Sequence, residues 1–162
     1  MATAAILTIS DTRSAGSRAD TTTQMMAEIL TGAGFEIAER RLVPDEFDDI
    51  AAAIVELAAR AQLVITSGGT GLAPRDVTPE ATHSVLDREA PGIAEAMRAE
   101  TAKIQPLSYL SRAVAGQRGT TLVINLPGNP KAVRECFDVL LPMLPHAIKT
   151  SSGDGESAHR AI

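Results

Sequence analysis

Apolar and polar residues fall in blocks along the 162-residue chain, and the blocks follow a strand–helix rhythm. Residues 4–9 are almost continuously apolar and stop at Ser10-Asp11-Thr12. A run with no polar face predicts a strand buried on both sides, as in a parallel sheet, followed by a polar loop. That loop continues through Arg13 and Arg18 with hydroxyls between them. Asp20 has the chemistry of an N-cap for a helix whose Met25, Met26, Ile29 and Leu30 face a sheet, and Gly32 and Gly34 end it. A soft-ligand reading of the Met pair gives way to a core stripe. Residues 35–43 predict a second strand, polar enough to lie toward a sheet edge, and Pro44-Asp45-Glu46 stops it. Ile50, Ile54, Leu57 and Ala58 then recur at helical spacing.

A third strand over residues 63–66 enters Ser67-Gly68-Gly69-Thr70-Gly71. Thr78 as N-cap and Pro79 at the first helical position predict a helix running to Arg88, with Val85 and Leu86 inward. Pro91-Gly92 breaks it, and residues 93–104 predict another helix with Ile93, Met97 and Ile104 in phase. Pro106 interrupts that helix, and residues 107–112 read as irregular. Two short runs, 113–115 and 120–126, flank Gly116-Gln117-Arg118-Gly119 in the pattern of a hairpin. Asn129 and Pro130 open the last helix, with Val133, Phe137, Leu140, Leu141 and Leu144 inward, and Pro142 and Pro145 kink or restart it. The order predicts an α/β fold: a three-layer α/β/α sandwich with a mostly parallel central sheet and a small β-hairpin extension. Residues 1–150 are expected to form one domain, and residues 151–162, which lack an apolar period, a flexible tail.

Composition narrows the core. Aromatics make up only 2% of the chain, with no Trp, one Tyr and three Phe, so Ala, Val, Ile and Leu must fill the interior. The same scarcity argues against base stacking on single-stranded nucleic acid. A net charge of −5 repels polyanions, so neither nucleic acid nor an anionic membrane is an expected partner. One cysteine, Cys136, excludes a disulfide within the chain and a cysteine-based zinc cluster. The first apolar run has no basic region before it and reads as a strand rather than a signal peptide, so a cytoplasmic protein is expected.

Ligands of open α/β sheets bind beyond the carboxyl ends of the strands. The polar residues there supply the candidate contacts: Ser10 and Asp11, then Ser67, Gly68, Gly69, Thr70, Gly71 and Arg75, and finally Pro127, Gly128 and Asn129. The glycine loop has neither the Gly-x-x-x-x-Gly-Lys nor the Gly-x-Gly-x-x-Gly spacing. Its glycine N–H groups suit an anion, and Asp76, placed where a phosphate would arrive, suggests an intervening metal. Asp45 and Asp76 follow successive strands and could converge as hard oxygen ligands for Mg²⁺. Plainer readings stand beside these: Asp45 and Asn129 as helix caps, Asp76 as a loop-ordering acceptor, Asp11 as a strand stop, and His83 as a surface residue. No Ser-His-Asp order or nucleophile elbow supports covalent hydrolysis.

The stretch Ser67-Gly68-Gly69-Thr70-Gly71-Leu72-Ala73-Pro74-Arg75-Asp76-Val77-Thr78-Pro79 resembles the signature of molybdenum-cofactor biosynthesis proteins of the MogA/MoaB type, a domain also found in gephyrin. Ile-Leu-Thr-Ile-Ser-Asp-Thr at 6–12, Val-Pro-Asp-Glu at 43–46, Leu-Ser-Arg-Ala-Val-Ala-Gly at 110–116 and Asn-Leu-Pro-Gly-Asn-Pro-Lys-Ala-Val at 125–133 extend the likeness over nearly the whole chain. The resemblance implies a molybdopterin-binding fold and an adenylyltransferase that moves AMP from ATP to the terminal phosphate of molybdopterin, with Mg²⁺ and release of pyrophosphate. It implies that Asp45 and Asp76 are the catalytic, metal-facing pair. It matches Ser111 to the family's serine of Leu-Ser-Arg, with Arg112 beside it as a further binding candidate, and Thr101 (where relatives often have Ser) to a pterin-side hydroxyl. It further implies a homotrimer that passes its product to a molybdate-insertion enzyme. One branch of the family, MoaB-like, binds without catalysing and has altered acidic positions; a scaffold role, as in gephyrin, is the alternative from another class.

Overall fold

The computed structural model describes residues 1–16 and 20–153. Six strands form one sheet: β1 (Ala2–Ile9), β2 (Phe35–Val43), β3 (Leu63–Ser67), β4 (Arg88–Glu89), β5 (Ala115–Arg118) and β6 (Thr121–Leu126), in the order β2-β1-β3-β6-β5-β4. β2, β1, β3 and β6 run parallel, while β5 and β4 are antiparallel additions. The three central parallel strands are the continuously apolar ones, and β2 lies at the edge, as its polarity requires.

Successive β1 side chains enter opposite layers. Ala4 and Ile6 pack with Met26 and Leu30 of α2 (Thr21–Gly32), Met97 of α5 (Pro91–Ala102), Phe137 of α6 (Pro130–Leu140) and Ile148 of α7 (Leu144–Ser151). Ala5, Leu7 and Ile9 pack with Ile50, Ile54 and Leu57 of α3 (Phe47–Ala58) and Ala81 of α4 (Thr78–Val85). The result is the three-layer α/β/α sandwich, with a core of aliphatic residues and methionine. Among the described residues no helix is long and apolar enough to cross a membrane.

Caps set several boundaries as the sequence indicates. Asp20 Oδ1 accepts from Thr23 N, and Asn129 Oδ1 accepts from Lys131 N and Ala132 N. The chain stops α6 at Leu140 and restarts as α7, with Pro145 in its first turn. Four boundaries differ from expectation. Thr78 is not a cap: Val77 precedes the helix, and the Thr78 hydroxyl donates to Gly68 O instead. The helix expected to reach Arg88 ends at Val85, where Leu86 turns extended, and Arg88–Glu89 joins the sheet beside β5. Gly116 is therefore a strand residue, because a Cβ there would lie 2.3 Å from Arg88 O, and the hairpin turns at Gly119-Thr120. Ile104, read as inward, lies beyond the end of α5 and is exposed.

The segment read as irregular contains a 3-10 helix, Pro106–Leu110, carrying the exposed Leu107, Tyr109 and Leu110. Within the expected polar loop, Asp11–Ser14 forms the single-turn helix α1, and Arg13 turns inward to donate to Thr22 Oγ1. Ser151, where the tail was expected to begin, closes α7, and its hydroxyl accepts from Gln117 Nε2. The readings of Arg18 and of a tail beyond residue 153 lie outside the described residues.

Candidate active site at the strand ends

From β1 the chain moves to β2 on one side and then crosses to β3 on the other. A reversal of this kind opens a crevice at the carboxyl ends of the two inner strands. Gly68 and Gly69 lie in it with φ of 104° and 66°. A Cβ on Gly68 would lie 2.2 Å from Ile9 O, and one on Gly69 would lie 2.3 Å from Thr78 Oγ1 and 3.0 Å from Asp45 Oδ1. Only glycine allows this backbone to pass so close to β1, α4 and a carboxylate. Gly68→Ala should therefore cost at least about 2 kcal/mol of folding stability, from the forbidden φ and the backbone collision together. Denaturant unfolding with an unchanged slope would read this as a lower midpoint.

Buried hydroxyl and amide groups hold the loop from behind. Asn125 Nδ2 donates to Thr66 Oγ1 and Thr82 Oγ1 at 3.0 Å, Thr82 Oγ1 donates to Thr78 O, and Thr78 Oγ1 donates to Gly68 O. Ser67 Oγ donates to Pro127 O at 2.8 Å, joining the loop to the segment before α6. In contrast, no acceptor among the described residues takes the N–H of Gly69, Thr70 or Gly71. These donors remain available to an anion.

Asp45 does not cap α3. The residue before that helix is Glu46, with no side-chain cap bond. Asp45 instead forms a reciprocal pair with Asp11: Asp11 N donates to Asp45 Oδ2 at 3.0 Å, and Asp45 N donates to Asp11 Oδ1 at 2.9 Å. Burial pushes the Asp45 carboxyl above the ordinary aspartate value, and the charges of Asp11 and Asp76 add to this, against the bond from Asp11 N. Asp11 moves the other way, held low first by its hydrogen bond to Arg75 and then by its backbone bond to Asp45. Arg75 Nε and Nη2 grip both Asp11 oxygens at 2.6 and 3.0 Å, and Nη2 also reaches Glu46 at 2.8 Å. Asp76 Oδ2 accepts from Ala73 N at 3.1 Å, so the loop-ordering role read from sequence is present. Its Oδ1 carries no hydrogen bond among the described residues, and Gly71 leaves room for the carboxylate: a Cβ there would lie 2.8 Å from Asp76 Oδ2.

Beside the glycine loop opens a cavity of about 590 Å³ with a mostly apolar wall. Of the residues predicted from sequence, Gly69, Thr70, Gly71, Asp76, Thr101, Ser111, Pro127, Gly128 and Asn129 line it. Ser10, Asp11, Asp45, Ser67, Gly68, Arg75 and Arg112 do not. Asp45 nevertheless lies next to Gly69 of the wall, its Oδ1 3.0 Å from where a Cβ on that glycine would sit. Ser10 caps α1, accepting from Arg13 N, and Thr101 donates to Met97 O. Ser111 Oγ accepts from Ala113 N at 3.2 Å, and its carbonyl accepts from Arg98. The sequence reading missed Met97, Leu107, Leu110, Arg98 and Lys131 in the wall. Met97 carried a signal, but helical spacing assigned it to the core, and Leu107 and Leu110 lay in a stretch without a period.

Cys136 also lines the cavity and is 5% exposed. Burial pushes its thiol up to about 12, with the Glu135 charge adding. The thiolate is the reactive form, so Cys136 should resist alkylation by iodoacetamide at pH 8 in the native protein and react once the chain is unfolded. Mass spectrometry of the two samples checks this.

The family described as a probable molybdopterin binding domain matches residues 5–146. The molybdopterin adenylyltransferase of Helicobacter pylori is 38% identical over 153 residues, covering 92% of this chain and 87% of that protein. The molybdenum cofactor synthesis protein cinnamon of Drosophila melanogaster is 39% identical over 153 residues; the match takes in 92% of this chain but only 25% of that longer protein. Among solved structures, the molybdopterin biosynthesis enzyme MoaB of Thermus thermophilus superposes with a TM-score of 0.89 at 50% identity, covering 94% of this chain and 98% of that one.

Proposed function

The chain belongs to the probable molybdopterin binding domain family, and on that premise we propose that it is a molybdopterin adenylyltransferase of molybdenum cofactor biosynthesis. The observation that carries the reading is the placement of two carboxylates on one glycine loop, Asp45 next to Gly69 and Asp76 next to Gly71, with Asp76 lining a mostly apolar cavity. The pterin takes the cavity, between Thr101, Ser111 and the Pro127-Gly128-Asn129 segment. ATP lies over the strand ends, with its phosphates toward the open N–H groups of Gly69, Thr70 and Gly71. The terminal phosphate of molybdopterin attacks the α-phosphorus of ATP; the new P–O bond forms as the bond to pyrophosphate breaks. No protein nucleophile is needed, and the residues act by holding two polyanions in line.

Mg²⁺ suits the donor set. Asp45 and Asp76 offer hard oxygens, and the ionised form of Asp45 is disfavoured by burial and by nearby carboxylates, a strain that a divalent cation relieves. No three His, Cys, Asp or Glu among the described residues converge on a metal position, so water and phosphate would complete the shell. When bound, the ion would neutralise charge on the nucleotide phosphates and the leaving pyrophosphate. Residues 1–151, through the end of α7, act as one domain in a cytoplasmic homotrimer that passes its product to a molybdate-insertion enzyme.

Purified protein given Mg-ATP and molybdopterin should release one pyrophosphate per adenylylated pterin formed. Binding of the pterin with no consumption of ATP would move the reading to the non-catalytic branch of the family. Retention of Asp45, Arg75 and Asp76 favours the active one.

A further inference from the structure

Besides Arg98 in the cavity wall, two arginines stand at the signature loop, and an arginine beside a phosphate-binding loop is ordinarily expected to meet the phosphate, since its planar fork matches that anion. The contacts of these two point elsewhere. We propose that Arg75 and Arg112 are positioning residues: each directs its guanidinium at protein acceptors that fix one of the two carboxylates, and neither meets substrate.

Arg112 closes the signature loop at both ends. Its Nε donates to Gly71 O at 2.8 Å and its Nη2 to Asp76 O at 2.7 Å, while its backbone N donates to Thr70 O at 2.8 Å. Its Nη1 pairs with the Glu80 carboxylate in the first turn of α4, and that pairing holds Glu80 below the usual range. One rigid fork thus spans two carbonyls five positions apart and fixes the main chain of Asp76, whose own Oδ2 is tied to Ala73 N. Each guanidinium nitrogen already has a protein acceptor, and Arg112 is absent from the cavity wall although its neighbour Ser111 is in it.

Arg75 acts on Asp45 through Asp11. It holds both Asp11 oxygens, and Asp11 holds both the backbone N–H and the carboxylate of Asp45. The charge of Arg75 is matched by Asp11 and Glu46, and that of Arg112 by Glu80, so neither leaves an unmatched cation for a phosphate. Arg75 reaches out of the loop to Asp11 while Arg112 holds the loop's own carbonyls, and together they fix the placement of Asp45 and Asp76. Lysine cannot replace either one, because a single ammonium does not reproduce the coplanar fork.

The proposal rests on the adenylyltransferase reading, and the test separates the two. Pyrophosphate release is measured for wild type, Arg112→Lys, Asp76→Asn and the double variant, and for the matching set Arg75→Lys, Asp45→Asn and their double. Each lysine variant should lose about tenfold or more in kcat with KM for ATP within about twofold, since misplacement alone is that costly. In each double variant the lysine change should add almost nothing to the asparagine change, because the carboxylate being positioned has lost its charge. Losses that multiply, or a KM for ATP raised about tenfold at constant kcat, would mean direct contact with the nucleotide and overturn the proposal. Amide hydrogen exchange supplies a readout independent of turnover. Arg112→Lys should speed exchange of the Ala73 and Asp76 amides, the hydrogen-bonded ones in the loop, about tenfold while α6 stays protected, and unchanged exchange there overturns the clamp. If wild type releases no pyrophosphate, adenylyl transfer falls, and the exchange measurement still decides whether Arg112 orders the loop.

Discussion

Asp76→Asn lowers kcat at least ~10²-fold, a loss of about 2.7 kcal/mol of transition-state stabilisation, and leaves molybdopterin binding close to wild type. The substitution is nearly isosteric. An amide oxygen at 76 can still accept from Ala73 N, and Arg112 still holds the Asp76 carbonyl, so the loop keeps its course. What disappears is the negative charge on the oxygen that carries no hydrogen bond. That charge matters when two polyanions react and little when a pterin enters an apolar cavity, so kcat falls and the pterin Kd does not. Steady-state pyrophosphate release and a pterin titration on the same preparation check the pair of outcomes. Full turnover in the variant would remove Asp76 from any metal-facing role.

Asp45→Asn should separate activity from stability more sharply: turnover falls by ~10²-fold or more, while the melting temperature at pH 7 rises. Asp45 ionises above its ordinary value of 3.8, first because it is buried and then because Asp11 and Asp76 repel its charge. A carboxyl whose folded-state pKa exceeds the unfolded one favours the fold below the unfolded value, and that contribution is lost as pH rises through the folded value. At neutral pH the ionised Asp45 therefore works against folding, and Asn removes the burden while its side-chain oxygen can still accept from Asp11 N. The gain in Tm should shrink as the pH falls through the folded-state value of Asp45 and be gone below the ordinary aspartate value of 3.8, where both states hold the proton. Thermal unfolding at the two pH values decides the matter; a variant less stable than wild type at pH 7 would mean that Asp45 is a net structural support. The expected pattern is the trade-off typical of a site that keeps like charges close for chemistry.

The parallel strands were legible because each writes its burial in a continuous apolar run, as residues 4–9 and 63–66 do. The caps at Asp20 and Asn129 were legible because their partners lie two or three positions away. Asp45 carries the same local signature, a carboxylate after Pro44 and before a helix, yet its partner is Asp11, 34 positions distant. Pairings of that range are set by which strands become neighbours, and local pattern does not encode them. The same holds for the guanidinium of Arg112, whose acceptors lie in the signature loop and α4. β4 escaped notice because two exposed charged residues have no periodicity, and Gly116 was read as a turn because a glycine needed for close approach looks, in one dimension, like a glycine needed for a bend. The strand-end loops carried much of the cavity wall, whereas Met97 was hidden in the core period of a helix.

The 3-10 helix at the mouth of the cavity has a spectroscopic consequence. Tyr109 lies there between the wall residues Ser108 and Leu110, with 65% of its surface in solvent. It is the single tyrosine of a chain without tryptophan. Emission excited beyond the absorption of its three phenylalanines thus comes from one ring at one place, next to the proposed seat of a heterocycle that absorbs in the near ultraviolet. Quenching of that emission would report pterin entry without a label or an engineered probe, and the Asp76→Asn and Arg112→Lys proteins could be titrated in the same way.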